Sequence, residues 1–435
     1  MPGMAQRWKN WAGDQRCAPA RIERPGSLEE LREIVARAAE AGQRIRASAS
    51  GHSFTDIALT DGAMVRLERL DRELDFDSSS GRFRVEGGIV LGELNRTLDR
   101  HGVAFENLGD IDRQTIAGSI STGTHGTGER FQSVSAQIAS IEVVTADGSV
   151  VVADESDPEL LRAARVGLGA LGIIYAVTIR TVAAFTIDRV DSPRPLGDAL
   201  ERLDDLNAGC DHFEFYVFPH TGVALCRESR RTDGPPRPRH RALTYAQEVM
   251  LENWVAQLFV LAGRRLPSQA PRLARIAARG VGRSQKIDRS FEVFASERRV
   301  RFTEMEWGIP REHAREAIER VVAEASRPEH GVAFPIEVRF VAPDDSLLSP
   351  SHERDTCYIA VHQDRKLDWE PYFRAVEEIA TSYGGRPHWG KRHFRTAAEL
   401  EPLYLRWADF QRIRARLDPN GVFSNAYTDR VLGPT

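Results

Sequence analysis

A histidine ends a run of small residues near the N-terminus of this chain. The run follows a short strand-like stretch and consists of Ala47, Ser48, Ala49, Ser50, Gly51, His52 and Ser53. Because none of the side chains before the histidine is larger than a hydroxymethyl group, the backbone can approach phosphates and aromatic rings closely. The imidazole adds a nitrogen that can form a covalent bond to a bound cofactor. We therefore predict a cofactor-binding loop that is anchored through His52.

A second loop of this kind runs from Gly118 to Gly128. Glycines and hydroxyl side chains are dense there, so many backbone N–H groups and hydroxyls could face one polyanionic ligand. A turn that only reverses the chain is the alternative, but two such loops in one stretch of sequence favour binding. The spacing is not that of G-x-G-x-x-G after a strand, which disfavours a nicotinamide Rossmann site.

Two groups of polar residues in the second half of the chain could face a ligand. Alternation over residues 334–340 puts Glu337 and Arg339 on the same face of a predicted strand. Such a pair is commonly a surface ion pair, although its apolar neighbours favour a half-buried pair aimed at a ligand. The run Pro387–Lys391 combines His, Trp and Lys. It fits either core packing beside a surface lysine or a substrate wall that carries a cation.

Capping and turn signals predict the elements that position the two loops. Ser27 and Glu30 have capping-box spacing and Gly42 stands where a C-terminal cap belongs, which predicts a helix. The elements predicted after it are strands at Arg44–Ala47 and Ala63–Leu67, hairpins around Ser78–Gly81 and Ala146–Gly148, a helix at Val90–His101, and a strand from Leu171 to about Thr181. Without a regular βαβ alternation, the first ~183 residues predict a mixed α+β domain.

The composition changes after Ile187. Ser192–Pro195 is typical of a domain junction, and Arg230–Arg241, with its prolines, is typical of a mobile surface loop. Helices are predicted around Tyr245–Gly263 and from about Glu312 to Ser326.

Composition excludes several classes of protein. The chain has 435 residues, 41% hydrophobic and 28% charged, which suits a globular protein of two or three domains. A net charge of −4 with dispersed basic residues gives nucleic-acid binding no electrostatic support. The four cysteines form no C-x-x-C pair, so we predict no metal site, no disulfide framework and a reducing compartment. No apolar run has the length of a signal peptide or a membrane span, and we expect a soluble cytoplasmic protein.

Taken in order, the motifs resemble those of FAD-linked oxidases of the vanillyl-alcohol-oxidase group, in the branch of gulonolactone, arabinonolactone and alditol oxidases. The resemblance extends from about Trp11 to the C-terminus. The motifs that carry it are Gly51-His52-Ser53, Gly118 to Gly128, Gly169 to Ile174, Glu337-Val338-Arg339, His388-Trp389-Gly390-Lys391 and Asn425-Ala426-Tyr427. It implies a two-domain α+β flavoprotein. An FAD-binding domain would comprise residues 8–183 and a returning tail of residues 410–435, and a cap domain with an antiparallel sheet would comprise residues 184–409.

The resemblance implies a covalent histidyl-FAD in which the His52 imidazole is bonded to the flavin 8α-methyl carbon. A histidine that only hydrogen-bonds within the loop is the alternative. The run from Ala47 to Ser53 would cradle the pyrophosphate, and Ile174 would hold the cofactor through its backbone. The other residues implied to line the cofactor are Asp110, Thr115, Gly118, Thr122, Gly123, Thr124 and His125. Relatives that oxidise alditols tend to have serine in place of Asp110, which weakens the case for an acyclic polyol.

Gly109 would flank the flavin according to the same resemblance. A glycine there leaves room for oxygen, so we expect direct reaction with O2. A glycine that is needed only for its backbone dihedral angles is the alternative.

The resemblance also implies the chemistry. Glu337, Arg339 and Lys391 would form the catalytic cluster over the flavin, in which the two cations stabilise the alkoxide and the reduced-flavin charge and Glu337 orients substrate hydroxyls. His362 is a further candidate for this pocket, with a core histidine as the alternative. We expect oxidation of an aldonolactone of the gulono-1,4-lactone type beside its carbonyl, with O2 reduced to hydrogen peroxide.

Three other functions stay open from the sequence. The enzyme could oxidise the terminal hydroxyl of an alditol, or it could pass electrons to a cytochrome or quinone as a dehydrogenase. From a different class, the chain could be a flavin-fold binding module without turnover. The intact set of Glu337, Arg339 and Lys391 argues against the last of these.

Overall fold

The helix predicted after Ser27 forms between the residues that cap it. The Ser27 hydroxyl accepts a hydrogen bond from the Glu30 N–H at 3.2 Å, and Gly42 follows the helix with φ of +60°. The structure, a computed structural model, describes residues 7–237, 269–296 and 300–435. The helices are α1 (Leu28–Glu40), α2 (Leu91–Arg100), α3 (Ile116–Ser121), α4 (Pro158–Arg165), α5 (Leu196–Glu201), α6 (Leu203–Ala208), α7 (Ala270–Gly280), α8 (Ser290–Phe294), α9 (Ala314–Ala325), α10 (Glu370–Ser382), α11 (Ala397–Leu400), α12 (Trp407–Leu417) and α13 (Ala426–Leu432).

The strands belong to both halves of the chain. They are β1 (Trp8–Lys9), β2 (Arg16–Cys17), β3 (Arg21–Glu23), β4 (Ile45–Ser48), β5 (Ala63–Arg66), β6 (Glu73–Asp77), β7 (Arg82–Glu86), β8 (Val103–Ala104), β9 (Ile138–Val144), β10 (Val150–Ala153), β11 (Ile173–Arg180), β12 (Val182–Ala183), β13 (Thr186–Pro195), β14 (His212–Phe218), β15 (Val223–Thr232), β16 (Ser284–Arg289), β17 (Thr303–Pro310), β18 (Ile336–Val341), β19 (Thr356–Gln363) and β20 (Arg386–Pro387). With these helices the fold is α+β, as the sequence predicts.

Two sheets in the N-terminal part position the small-residue loops. Strands β3, β5 and β4 form a parallel sheet in that order, and β4 leads directly into the loop that ends at His52–Ser53. Strands β10, β9, β11, β7 and β6 form an antiparallel sheet in that order. The start of β11, with Ile174, lies close to α3, because the backbone N–H of Gly87 bonds to Tyr175 and the N–H of Ala117 bonds to Gly87.

The middle of the chain forms an antiparallel sheet of eight strands in the order β16-β13-β15-β14-β18-β19-β17-β20. Because side chains alternate across each strand, Ile336, Val338 and Phe340 of β18 face an apolar cluster that includes residues of α5, α6, α9 and α10. Glu337 and Arg339 point to the opposite face. Both are buried, with 4% and 6% of their surface exposed, so neither belongs to a surface ion pair.

The sequence prediction for Ser192–Pro195 is wrong. These residues end β13 and pair with β15. Prolines are tolerated at this end because the pairing of β13 with β16 covers only residues 186–191, so Pro193 and Pro195 have a neighbour on one side alone.

The prediction of a mobile surface loop over residues 230–241 is partly wrong. Residues 230–232 of the predicted mobile loop belong to β15. The predicted helix at 245–263 lies outside the described residues.

Two large apolar clusters form the core. One contains residues from β3–β11 and their helices together with Trp389, Leu400 and residues of α12 and α13, and the other lies within residues 199–380. The C-terminal segment therefore packs on the N-terminal sheets, and the N–H of Ile45 donates a hydrogen bond to Val422 at 2.8 Å. Among the helices of residues 7–237, 269–296 and 300–435, none combines the length and apolar content that a bilayer crossing requires.

Candidate active site

His52 lies at the end of a loop whose shape depends on Gly51. Gly51 has φ of +72°, and a Cβ at this position would lie 3.1 Å from the Trp8 ring. The Trp11 ring stacks on the His52 ring at 5.5 Å between centroids, with 24° between their planes. Burial, and then the charges of Lys391 and Arg113, lower the pKa of His52 to about 4. The imidazole is therefore neutral near pH 7.

The two small-residue loops meet in the structure. The Thr115 hydroxyl caps α3 by accepting a hydrogen bond from the Gly118 N–H at 3.2 Å. A Cβ on Gly118 would lie 2.7 Å from the Cβ of Ala49, so only a glycine allows this approach. The sequence motifs that were separated by some sixty residues thus border one cleft.

This cleft opens into a cavity between the loops, which we term the loop cavity. The predicted residues that line it are Ala47, Ala49, Ser50, Gly51, His52, Ser53, Thr115, Gly118, Thr122 and Ile174. Ser48 is buried beside it in β4. The predicted residues Asp110, Gly123, Thr124 and His125 do not line it.

Arg46 lines the loop cavity with a fully buried guanidinium. Its hydrogen bonds to described residues all go to backbone carbonyls, at 2.6–3.0 Å, on Ile57, Leu168, Gly169 and Phe423. Burial lowers its pKa to about 10, which leaves it a cation. A narrow cleft of small residues and backbone fits the diphosphate and flat ring system of FAD, and Arg46, which contacts no carboxylate among the described residues, adds a positive charge to it.

A second cavity, which we term the lysine cavity, adjoins the first. His52, Ser53, Gln114 and Thr122 line both, and Lys391 lines the second together with aromatic residues that include Trp11, Phe54 and Phe302. The Lys391 ammonium lies 5.3 Å from the centroid of the Phe54 ring. A ligand in the lysine cavity would therefore contact both the end of the cofactor loop and a cation.

The charge on Lys391 is stabilised by Glu304 of β17. The Lys391 Nζ lies 2.5 Å from Glu304 Oε2, and the His362 Nε2 lies 3.4 Å from Glu304 Oε1. Burial opposes ionisation of Lys391, but Glu304, Glu306 and Asp110 outweigh it and raise its pKa. Burial alone would raise the pKa of Glu304, yet Lys391 and His362 lower it to about 2.

Arg339 is held by a different set of carboxylates. Its Nε lies 2.9 Å from Glu214 Oε2 and its Nη2 lies 3.4 Å from Asp110 Oδ2, and Nη2 also contacts Glu337. The Tyr216 hydroxyl donates a hydrogen bond to Glu337 at 2.9 Å. Burial would lower the pKa of Arg339, but Glu337, Asp110 and Glu214 raise it. Asp110 acts electrostatically on both Arg339 and Lys391, so it links the two predicted cations.

The register of the eight-stranded sheet explains this arrangement. Across β13, β15, β14 and β18, the directly paired residues are Asp191, Arg227, Glu214 and Arg339. Arg227 lies 3.0 Å from Asp191 and 2.7 Å from Glu214. Opposite charges therefore alternate along one row of the sheet, and Arg339 stands at its end.

His125 is engaged away from both cavities. Its Nδ1 donates to the Gly126 carbonyl at 2.9 Å, its Nε2 lies 3.2 Å from Glu306, and its ring stacks on Tyr358. His388 lies nearby. One ring nitrogen of His388, one of His125 and one carboxylate oxygen of Glu306 all lie within 4.8 Å of one another. The Gly390 N–H donates a hydrogen bond to Nδ1 of His388, so the neutral ring carries its hydrogen on Nε2. A ring nitrogen that carries a hydrogen has no lone pair to offer a metal ion, and this arrangement therefore disfavours a metal site.

Gly109 packs against the second loop. A Cβ on it would lie 3.1 Å from both the His125 carbonyl oxygen and the Thr124 methyl group. Its φ is not among the positive values of this chain, so the alternative that it is required for its backbone dihedral angles is wrong. The absence of a side chain, and not the backbone conformation, is what this position requires.

Sequence reasoning missed the acidic partners of the predicted cations. Glu304 and Glu306 lie in Thr303–Pro310, where Met305, Trp307 and Ile309 alternate with them and face the apolar cluster. This period of two is the signal that could have identified a strand with two inward carboxylates. Glu214 and Tyr216 alternate with Phe213, Phe215 and Val217 in the same way.

The fold and the cleft together define a flavoprotein of the vanillyl-alcohol-oxidase type. Residues 19–154 match the family described as FAD binding domain, and residues 177–431 match the family described as D-arabinono-1,4-lactone oxidase. The chain belongs to the D-arabinono-1,4-lactone oxidase family.

Curated relatives match along their whole length. The chain is 51% identical to L-gulono-1,4-lactone dehydrogenase of Mycobacterium tuberculosis over 99% of this chain and 100% of that protein. It is 33% identical to L-gulonolactone oxidase of Bos taurus, with 98% of each covered, and 33% identical to alditol oxidase of a Streptomyces species, with 97% and 98% covered. Among solved structures, a solvent-stable cholesterol oxidase superposes with a TM-score of 0.82 at 17% identity, covering 99% of this chain and 98% of that one, which shows a shared fold.

Proposed function

We propose that this protein is an FAD-dependent oxidoreductase that oxidises the hydroxyl beside the carbonyl of an aldonolactone of the gulono-1,4-lactone type. The observation that carries the proposal is the position of Lys391, whose ammonium lines a cavity continuous with the loop cavity at His52. The names of two relatives, L-gulono-1,4-lactone dehydrogenase and L-gulonolactone oxidase, support the substrate class.

In this proposal the FAD, when bound, accepts a hydride from the substrate carbon at N5. The protein supplies orientation and charge. The substrate hydroxyl would lose its proton to solvent water at the open side of the lysine cavity, and Lys391 would donate a hydrogen bond to its oxygen and stabilise the alkoxide that develops there. Arg339 adds a second positive charge, and Glu337 and Asp110 fix its guanidinium.

We further propose that the FAD is covalently attached through His52. Two features support this: the imidazole is neutral because its pKa is about 4, and its ring makes no hydrogen bond to any described residue. Acid precipitation of the wild-type protein should leave the yellow colour with the protein, and His52→Ala should release it. His313→Ala, at an exposed position, is the control. Yellow supernatant from the wild type would contradict covalent attachment.

The electron acceptor in this proposal is O2, which is reduced to hydrogen peroxide. Support comes from the name of the Bos taurus relative, L-gulonolactone oxidase, whereas Gly109 lines neither cavity and a side chain on it would face Thr124 and His125. The name of the Mycobacterium tuberculosis relative favours a second candidate, a dehydrogenase with a cytochrome or quinone acceptor. The alditol oxidase of a Streptomyces species favours a further candidate substrate, a polyol.

One experiment tests substrate and acceptor together. The oxidised protein is mixed anaerobically with a panel of aldonolactones and alditols, flavin bleaching is followed, and air is then admitted. Bleaching by lactones and fast recoloration are the expected results. Bleaching by alditols alone would contradict the substrate class, and slow recoloration would contradict the acceptor.

The proposal includes the division of the chain. Residues 8–183 with the tail 410–435 would form the FAD-binding domain, and residues 184–409 would form the cap. The two separate apolar clusters support this division, although Trp389 and Leu400 pack with the first of them. A cytoplasmic location stays a prediction.

A further inference from the structure

We propose that Glu304 is a positioning residue that keeps Lys391 protonated and directed into the lysine cavity. This inference rests on the proposed function, because it concerns the cation that would meet the substrate hydroxyl. Neither the sequence motifs nor the names of the relatives assign a role to Glu304.

The first support is the contact between the two side chains. Glu304 Oε2 lies 2.5 Å from the Lys391 Nζ, and the side chains are only 5% and 16% exposed. At this distance and burial the pair is little screened by solvent. The backbone N–H of Arg392 donates a hydrogen bond to the Glu304 carbonyl at 2.9 Å, so main-chain atoms hold the neighbouring Lys391 close to Glu304.

The second support is that Glu304 is held from its other side. The His362 Nδ1 donates to the Pro335 carbonyl at 3.2 Å, which fixes the ring, and the His362 Nε2 lies 3.4 Å from Glu304 Oε1. Each carboxylate oxygen of Glu304 therefore has its own neighbour. The His362 ring occupies the space beside Oε1 and so limits rotation of the carboxylate away from Lys391.

The third support is that Arg339 and Lys391 pair with different carboxylates. Arg339 engages Glu214 and Glu337 directly, so these carboxylates are committed to it. Asp110 contacts Arg339 and reaches Lys391 only through its charge. Within the described residues, Glu304 is the carboxylate that forms an ion pair with Lys391.

The other groups that face Lys391 do not replace Glu304. Burial lowers the pKa of His52 to about 4 and that of His388 to about 3, so both are neutral near pH 7. The charged and titratable groups around Lys391 are Glu304, Glu306, Asp110, His52, His362 and His388, together with Asp112 and Arg113, which line the same cavity. Glu306 lies 3.2 Å from the His125 Nε2, and within the described residues it is Glu304 that forms the ion pair with Lys391.

The test is the pH dependence of flavin reduction in the holoenzyme with Glu304→Gln. An opposite charge in contact shifts a pKa by about 1–3 units, so loss of the Glu304 charge should lower the pKa of Lys391 by that amount. The alkaline limb of the anaerobic bleaching rate should move to lower pH by about 1–3 units. Glu304→Asp keeps the charge and should restore most of this limb.

A matched control removes a buried, paired carboxylate elsewhere. Glu377 is 5% exposed and lies 3.0 Å from the Arg395 Nε. Glu377→Gln should leave the pH profile in place even where it lowers stability. An alkaline limb that is unmoved in folded, yellow Glu304→Gln would overturn the proposal.

A substrate-free measurement separates this inference from the proposed function. Sulfite adds to oxidised flavin as an anion, so its affinity falls where a neighbouring ammonium loses its proton. The pH of this fall should be lower in Glu304→Gln than in the wild type. Equal values would overturn the role of Glu304, whereas failure of every lactone to bleach the wild type would overturn the proposed function alone.

Discussion

The backbone N–H of Phe54 donates a hydrogen bond to the Gly390 carbonyl at 2.8 Å. Phe54 follows the loop that ends at His52–Ser53, and Gly390 precedes Lys391. The anchor that we propose for the cofactor and the cation that we propose for the substrate are therefore joined by main-chain atoms. A shift of one would move the other, so this hydrogen bond helps to fix the separation of His52 and Lys391.

Gly118→Ala should empty the FAD site. The added Cβ would lie 2.7 Å from the Cβ of Ala49, which has no flexible side chain that could move aside. Replacing glycine by alanine within a helix normally stabilises the helix by about 0.5–1 kcal/mol. A loss of FAD in this variant therefore cannot be explained by a weaker helix. The flavin-to-protein absorbance ratio should fall several-fold. Gly197→Ala is the control, because Gly197 also lies in a helix, α5, and no atom lies within 4 Å of the Cβ that the change adds. A normal absorbance ratio in Gly118→Ala would contradict the assignment of the cleft to FAD.

Arg46→Met should unfold at much lower urea concentration than the wild type. Its guanidinium bonds to four carbonyls from three separate segments, and methionine leaves these acceptors buried without donors. The expected loss in the free energy of unfolding is about 3 kcal/mol or more. Arg46→Lys should recover part of it, because an ammonium has three donors and no planar fork. Arg416→Met, at an exposed position, should be neutral, and a similar loss there would refute the explanation.

Lys391→Met should slow anaerobic flavin reduction by about 10²–10³-fold while leaving FAD content unchanged. The change removes the ammonium from the lysine cavity and keeps most of the apolar stem. Stopped-flow bleaching with a saturating lactone measures the rate, and Lys9→Met, at an exposed position of β1, is the control. A rate within a few-fold of the wild type would exclude Lys391 from alkoxide stabilisation.

Stability should rise with pH between about pH 4 and pH 6.5. Burial lowers the pKa of His212 to about 4 and that of His388 to about 3. In this window the unfolded chain binds protons on these histidines and the folded chain does not, so acid favours unfolding. Urea denaturation across the window measures the slope. The slope measures how many more protons the unfolded chain binds, so His212→Asn should reduce it by the equivalent of at most one proton. An unchanged slope would show that folding does not lower the pKa of His212.

Local signals predicted much of the N-terminal half. The Ser27 cap, the glycines of the turns and the period of the first helix depend on residues a few positions apart, and α1, β4, β5, α2 and β11 form close to the predicted bounds. The prolines of Ser192–Pro195 were misleading because a strand tolerates them wherever a neighbouring strand stops short. That condition depends on where β16 ends, which no local pattern indicates.

The candidate site likewise combines residues that local sequence patterns predict with residues that only the fold brings together. His52, the small-residue loops and Lys391 stand in compact motifs, and the sequence predicts them. Glu214 meets Arg339 across 125 residues, and its pairing is a consequence of strand register. Opposite charges that far apart give no signal in one sequence, so the acids that hold the predicted cations emerge only with the fold.

The loop cavity is completed by residues that are synthesised late. The Asn425 side chain donates hydrogen bonds to the carbonyls of Asp56, Ile57 and Leu59 at 2.9–3.1 Å, and the Phe423 carbonyl accepts one from Arg46. A nascent chain on the ribosome has the loop of His52 long before it has these partners. The N-terminal sheets can form during translation, but a cleft able to retain FAD must wait until the segment around Asn425 has emerged.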